Sequence, residues 1–153
     1  MTADLNHILL AEDNAADVEL TMAALRENRV VNPITVTRDG AETLDYLLCR
    51  NKYADRQQTR PVLVLLDLKM PKVDGIEVLR AIKSDPQLKT IPVVVLTSSR
   101  EETDLVRSYD LGVNAYVVKP VDFHEFTDAV KLLGGFWAVI NETPAALAAP
   151  KRV

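Results

Sequence analysis

The stretch Pro61-Val-Leu-Val-Leu-Leu-Asp67 decides the fold class of this chain. Its apolar run, Val62 to Leu66, is continuous, whereas a strand with one solvated face would alternate between apolar and polar residues. A short apolar run bounded by a proline and an aspartate predicts a strand that is buried on both faces. Strands of that kind belong to parallel sheets, whose two faces are covered by helices.

The surrounding sequence has the alternation that such a sheet requires. Short strand-like runs occur at His7 to Ala11, Ile34 to Thr37, Ile91 to Leu96 and Ala115 to Val118. Segments with helical apolar spacing follow each strand, the last of them at positions 123–140. Five strands that alternate with five helices predict an α/β fold built on a parallel sheet.

Composition and charge exclude several classes of function. The net charge is −4, from 22 acidic and 18 basic residues, so there is no electrostatic footprint for nucleic acid. No apolar run approaches the ~20 residues of a membrane span. The N-terminus lacks the features of a signal peptide. The single cysteine, Cys49, cannot form an internal disulfide, and we expect a cytoplasmic protein.

Polar residues whose side chains could bind a ligand or take part in catalysis lie directly after four of the five strands. Glu12 and Asp13 follow the first strand, Asp67 the third, Thr97 the fourth and Lys119 the fifth. Ligands of open parallel sheets bind beyond the carboxyl ends of the strands. Each residue alone fits an ordinary turn or helix cap, but their shared position predicts a functional site at one rim of the sheet.

The residue types in this set suit phosphoryl transfer. Glu12, Asp13 and Asp67 would form an anionic, oxygen-rich pocket of the kind that holds Mg²⁺, and no histidine–cysteine cluster indicates zinc. A carboxylate whose charge is offset by Mg²⁺ can attack a phosphoryl group and form an aspartyl phosphate. Lys119 would meet the charge on the transferring oxygens, and Thr97 would donate its hydroxyl to one of them.

The residues at this rim belong to four motifs: Glu12-Asp13, Leu66-Asp67-Leu-Lys-Met-Pro71 with Asp74-Gly75, Thr97-Ser98, and Tyr116-Val-Val-Lys119-Pro120. Together these motifs resemble the signature of bacterial response regulator receiver domains over roughly residues 5–135. The resemblance implies a flavodoxin-like, doubly wound sheet with strand order 2-1-3-4-5, flanked by five helices.

The resemblance also implies a phosphoacceptor and a metal site. Asp67 would accept the phosphoryl group from the phosphohistidine of a sensor histidine kinase. Asp13, Asp67 and the backbone carbonyl of Lys69 would ligate Mg²⁺, and Glu12 would contact the ion through water. The protein would be a signalling protein that catalyses only its own phosphorylation and dephosphorylation.

Further roles implied by the resemblance concern switching and timing. Lys119 would pair with the phosphoryl group, and its bond to Pro120 would be cis. Thr97 and Tyr116 would form the switch pair, in which the hydroxyl moves toward the phosphate and the ring turns inward. Lys69 and Ser99 flank the acceptor pocket and would set the rate of autodephosphorylation.

Departures from the plainest receiver pattern suggest a narrower relationship. The polar stretch 50–60 is expected to be a long surface loop, and the last helix continues through residues 134–141. With no effector segment, these features resemble the small stand-alone regulators that partner bacterial phytochromes. We expect the receiver domain to span residues 5–141, with residues 142–153 as a flexible, Ala/Pro-rich tail.

Three apolar residues, Phe136, Trp137 and Ile140, lie beyond the expected core. They could fold back onto the edge of the domain. They could instead form a homodimer contact, because exposed apolar patches mark association sites.

Three other functions are conceivable for a chain with these residues. A phosphatase of the haloacid-dehalogenase type carries a second acid two residues after its nucleophile, where this chain has Lys69. A flavin carrier needs a Ser/Thr/Gly-rich phosphate loop, and Glu12-Asp13-Asn14 would repel a phosphate there. A receiver-like binding module that acts without phosphorylation remains an alternative.

Overall fold

The structure of the protein is a computed structural model with a central five-stranded sheet. It describes residues 7–28, 30, 32–56, 60–98, 100–108, 110–120, 122, 124, 125, 127 and 128. The elements are β1 (Ile8–Ala11), α1 (Ala15–Glu27), β2 (Ile34–Thr37), α2 (Gly40–Leu48), a 3₁₀ turn (Asn51–Tyr53), β3 (Leu63–Asp67), α3 (Gly75–Ser84), β4 (Val93–Thr97), α4 (Arg100–Ser108) and β5 (Ala115–Val118). Within these residues, no helix has the length and apolar character needed to cross a bilayer.

All strand pairs are parallel, and the strand order is β2-β1-β3-β4-β5. The predicted topology is therefore confirmed, with β2 at one edge of the sheet. The chain order reverses direction at β1, between β2 and β3, which makes the carboxyl end of β1 and β3 the switch point where open sheets bind ligands.

The continuous apolar run of β3 is explained by burial on both faces of the sheet. Every residue of β3 and of β4 is buried. Leu63 and Leu65 belong to one apolar cluster, whereas Val64 and Leu66 belong to the other. Because successive strand residues point to opposite faces, a strand covered by helices on both sides needs an apolar residue at every position.

Three helices begin with a capping side chain near the carboxyl ends of the strands. Asn14, Asp39 and Asp74 each accept a hydrogen bond from the backbone N–H three residues on, at 3.0, 2.7 and 3.0 Å. Each cap satisfies one of the backbone N–H groups that a helix start leaves without a partner. The caps fix where α1, α2 and α3 begin, so the first turns of these helices border the rim of the sheet.

The described part of the polar stretch 50–60 lies mostly at the surface, as predicted, and contains the short 3₁₀ turn. The guanidinium of Arg56 lies 3.9 Å from the centroid of the Tyr46 ring on α2, and it donates to the Tyr46 carbonyl at 2.7 and 3.1 Å. The hydroxyl of Tyr53 donates to Glu42 at 2.6 Å. The described part of this stretch, residues 50–56, is thus attached to α2 by cation–π and hydrogen-bonding contacts.

Of the predicted fifth helix, the structure describes only a few residues. Residues 124, 125, 127 and 128 are helical, and the Asp122 side chain accepts from the Glu125 backbone N–H at 2.8 Å. The Thr127 hydroxyl donates to Asn28 Oδ1 at 2.8 Å and so attaches this segment to the end of α1. Several predictions fall outside the described residues and stay predictions: Ser99 as a rate-tuning residue, the contact of Phe136, Trp137 and Ile140, the domain end at 141, and the tail 142–153.

Candidate functional site

The structure brings the predicted side chains together at the carboxyl ends of the strands. Glu12 follows β1, Asp67 ends β3, Thr97 ends β4, and Lys119 follows β5. The Lys119 ammonium lies 3.0 Å from Glu12 Oε1 and 3.3 Å from Asp67 Oδ2. It also lies 2.9 Å from Asp17 Oδ2 on α1. One partly buried cation therefore joins three carboxylates that come from different parts of the chain. The Lys119–Pro120 peptide is cis, as the resemblance implied.

Glu12, Asp13 and Asp67 form an acidic cluster that suits a divalent cation. One carboxylate oxygen from each lies within 4.8 Å of the others. Glu12 and Asp67 are 0% and 2% exposed, whereas Asp13 is exposed. The buried Oε1 of Glu12 has no hydrogen bond, although Lys119 is close to it. A cluster of carboxylate oxygens, two of them buried and one exposed, fits a hard ion such as Mg²⁺.

The backbone after Asp67 is held against the acceptor carboxylate. The Lys69 backbone N–H donates to Asp67 Oδ1 at 3.2 Å, and the Gly75 N–H donates to the Leu68 carbonyl at 2.8 Å. A Cβ atom at Gly75 would lie 2.5 Å from both the Asp67 carbonyl oxygen and Leu68 Cα. Glycine is therefore required where α3 begins, because only a residue without a side chain lets that helix approach the acceptor strand.

Burial disfavours the ionised forms of the Glu12 and Asp67 carboxylates. Burial and, after it, the neighbouring Asp67 carboxylate raise the pKa of Glu12 from 4.5 to about 7, against the lowering effect of Lys119. Burial also raises the pKa of Asp67, against the lowering effect of its contacts with Glu12 and Lys119. For Lys119, burial opposes the charged form, but the contacts with Asp17 and Glu12 outweigh it and raise its pKa. The site holds more negative charge than one lysine offsets, so a further cation would be stabilised there.

The two residues of the predicted switch lie on neighbouring strands. Thr97 is fully buried, and its hydroxyl is 3.4 Å from the Thr103 hydroxyl on α4. Tyr116 on β5 is half-buried, and the guanidinium of Arg107 lies 4.8 Å from its ring centroid. Burial raises the pKa of the Tyr116 hydroxyl. The ring thus has a defined contact on α4, the helix that follows Thr97.

Sequence reasoning missed two carboxylates that reach the site from the first turns of helices. Asp17 contacts Lys119, and Glu102 lies 2.9 Å from Lys69 Nζ and accepts from the Ser98 N–H at 2.8 Å. The available signal for Asp17 was the Asn14 cap, which places it in the first turn of a helix that begins at the rim. First-turn acids are common because they interact favourably with the helix dipole.

The sheet order and this site define the class of protein. An acidic cluster, a partly buried lysine and a buried threonine at the rim of a 2-1-3-4-5 parallel sheet are the arrangement of a flavodoxin-like receiver domain. Comparison with known families agrees. The chain belongs to the response regulator receiver domain family, which it matches over residues 8–131.

Similar proteins include regulators associated with phytochromes. The response regulator Rcp1 of Synechocystis sp. is 40% identical over 139 residues, which are 91% of this chain and 93% of Rcp1. Its Mn²⁺-bound form has a solved structure with a TM-score of 0.69, covering 90% of this chain and 96% of that one. The bacteriophytochrome response regulator RtBRR is 53% identical with a TM-score of 0.85, covering 94% of this chain and 87% of that one.

A third similar structure is that of the phosphorylated cyanobacterial phytochrome response regulator RcpA. It is 45% identical with a TM-score of 0.71, and the match covers 91% of this chain and 98% of that one. The proteins similar to this chain therefore include response regulators of phytochromes.

Proposed function

We propose that this protein is a phosphoacceptor of two-component signalling, in which Asp67 takes a phosphoryl group from a sensor histidine kinase. The observation that carries the proposal is the position of Lys119 Nζ, 3.3 Å from Asp67 Oδ2 and beside the acidic cluster. A partly buried cation thus lies next to Asp67, the buried carboxylate that ends the central strand β3. The phosphorylated form of the relative RcpA supports the same chemistry.

In the proposed transfer, a carboxylate oxygen of Asp67 forms a bond to phosphorus as the bond from phosphorus to the histidine nitrogen of the kinase breaks. The leaving imidazole takes up a proton. The Lys119 ammonium meets the negative charge on the transferring oxygens, and it needs no movement to reach the acceptor. The Lys69 backbone N–H, bonded to Asp67 Oδ1, orients the carboxylate.

A divalent ion would be held by Glu12, Asp13 and Asp67, with the backbone carbonyl of Lys69 as a further proposed ligand. When bound, Mg²⁺ would offset the carboxylate charge and so allow a phosphoryl anion to approach. The donor set supports this assignment because all the ligands are oxygens. The Mn²⁺-bound form of Rcp1 supports it as well.

Phosphorylation would then switch the contacts that the protein makes. It adds about −1.5 to −2 charge and new acceptor oxygens, toward which the Thr97 hydroxyl would move from its contact with Thr103. The Tyr116 ring would leave Arg107 and turn inward. We propose a bacterial phytochrome kinase as the partner, because RtBRR and RcpA are response regulators of phytochromes.

The test is phosphorylation by acetyl phosphate in the presence and absence of Mg²⁺, with the product scored as acid-labile label. We expect Mg²⁺-dependent labelling of the wild type and none of Asp67→Asn. Asp104→Asn, an exposed aspartate on α4, serves as the matched control and should label normally. Wild-type labelling of the Asp67→Asn variant would show that the acceptor is a different residue. An unlabelled wild type would favour a binding module that acts without phosphorylation.

A further inference from the structure

One carboxylate connects the two segments that flank the acceptor. Glu102, in the first turn of α4, accepts a hydrogen bond from the Ser98 backbone N–H at 2.8 Å through Oε1. Its Oε2 lies 2.9 Å from the Lys69 ammonium. Ser98 directly follows Thr97, and the Lys69 backbone bonds Asp67. A continuous path of contacts therefore runs from the acceptor to the residue after the predicted switch threonine.

We propose that Glu102 is a positioning residue that holds the Lys69 ammonium and competes for it with the phosphoryl group on Asp67. The inference rests on the proposed function, since it requires Asp67 to carry a phosphoryl group. Glu102 does not touch the reacting atoms. It acts through Lys69 and sets how long the phosphoryl group survives.

The two partners of this ion pair differ in their freedom to move. The Lys69 side chain is 71% exposed, whereas that of Glu102 is 16% exposed and anchored to Ser98. The lysine is therefore the partner that can exchange one anion for another. A phosphoryl group on Asp67 offers it a second anion, with about −1.5 to −2 charge. The Lys69 backbone N–H already donates a hydrogen bond to the Asp67 carboxylate, so the Lys69 side chain starts close to the phosphorylation site.

Neutralising Glu102 should release Lys69 toward the phosphoryl group. An ammonium at the mouth of the pocket would pair with the phosphate oxygens and obstruct the approach of water to phosphorus. Hydrolysis of the aspartyl phosphate should therefore slow. The effect should be about two- to fivefold, the range that a solvent-exposed ion pair supports.

Glu102→Gln is a suitable variant because glutamine removes the charge and keeps a side-chain oxygen that can accept from the Ser98 N–H. Glu101→Gln is the matched control, since Glu101 is an exposed acid on the same turn of α4. Both variants are labelled with acetyl phosphate and Mg²⁺, and the decay of acid-labile phosphate is followed after the donor is removed. Lys69→Ala and Lys69→Ala/Glu102→Gln complete a double-mutant cycle.

We expect Glu102→Gln to extend the phosphoryl lifetime about two- to fivefold and Glu101→Gln to match the wild type. In the Lys69→Ala background, the Glu102→Gln change should have no effect, which a purely structural role for Glu102 would not predict. Equal lifetimes for Glu102→Gln and the wild type would overturn the inference, as would an effect that persists without Lys69. A wild type that takes up no label would instead refute the proposed function itself.

Discussion

Replacing Glu12 by glutamine tests the electrostatic description of the site most directly. Glu12 is fully buried, and in the absence of a metal ion its carboxylate faces Asp67 as well as Lys119. Burial raises its pKa from 4.5 to about 7, which means that folding disfavours its charged form. The Gln side chain is nearly isosteric and carries no charge, so the variant should be more stable than the wild type at neutral pH when no divalent ion is present.

The size of the effect follows from the two pKa values. A change from 4.5 to about 7 corresponds to about 3 kcal/mol at about 1.36 kcal/mol per tenfold change in proton affinity. Between these pH values the folded protein keeps the Glu12 proton that the unfolded chain has lost. The free energy of unfolding therefore falls as the pH rises from about 4.5 to about 7 and stays low above it. The favourable contact of the Glu12 carboxylate with Lys119 is already included in this figure, because that contact lowers the pKa and the net value is still about 7.

Urea unfolding followed by circular dichroism measures this difference. With EDTA present, the wild type should lose about 3 kcal/mol relative to Glu12→Gln between about pH 5 and about pH 8. Excess Mg²⁺ should return part of that stability to the wild type at the higher pH, because the ion binds only the folded state. Glu19→Gln, which removes an exposed carboxylate on α1, should keep the wild-type pH dependence. If Glu12→Gln also kept it, the assignment of a destabilising charge to Glu12 would be wrong.

Two further substitutions test the acceptor pocket. Lys119→Ala should retain some phosphorylation by acetyl phosphate, about 100-fold slower than the wild type, because it removes a fixed cation from the transferring oxygens. It should also abolish the amide NMR shifts that phosphorylation produces in β4 and β5, whereas Lys72→Ala, at an exposed lysine, should leave both rate and shifts unchanged. Gly75→Ala should lower the free energy of unfolding by about 1–3 kcal/mol in urea titrations, since its Cβ would lie 2.5 Å from the Asp67 carbonyl oxygen. An unchanged midpoint for Gly75→Ala would show that α3 can move away from the acceptor strand at little cost.

Much of the fold could be predicted because its signals are local. The continuous run Val62 to Leu66 indicates burial on both faces wherever it lies in the chain, since side chains alternate between the faces of a strand. The same reasoning predicted that Asp67, Thr97 and Lys119 share a rim, because the carboxyl ends of parallel strands meet at one edge. The Asn14 cap was likewise visible as a polar residue before an apolar-periodic segment.

The second set of carboxylates could not be predicted in this way. Asp17, Glu42, Glu77 and Glu102 are all first-turn acids of helices, and each is explained locally by the helix dipole. Only the packing of α1 brings Asp17 to Lys119, and only the approach of α4 to the β3–α3 segment brings Glu102 to Lys69. Such contacts join residues far apart in the chain, so no local pattern specifies them.

Glu12 and Asp13 show which properties of a site the sequence cannot predict. As neighbours of the same charge after the same strand, they carry the same signal for an acidic metal site, and both were identified from the sequence. The tertiary structure alone decides that Glu12 is enclosed beside Lys119 while Asp13 faces solvent. Because the cost of a charge depends on its exposure to water, adjacent carboxylates of one chemical type acquire different proton affinities and different roles.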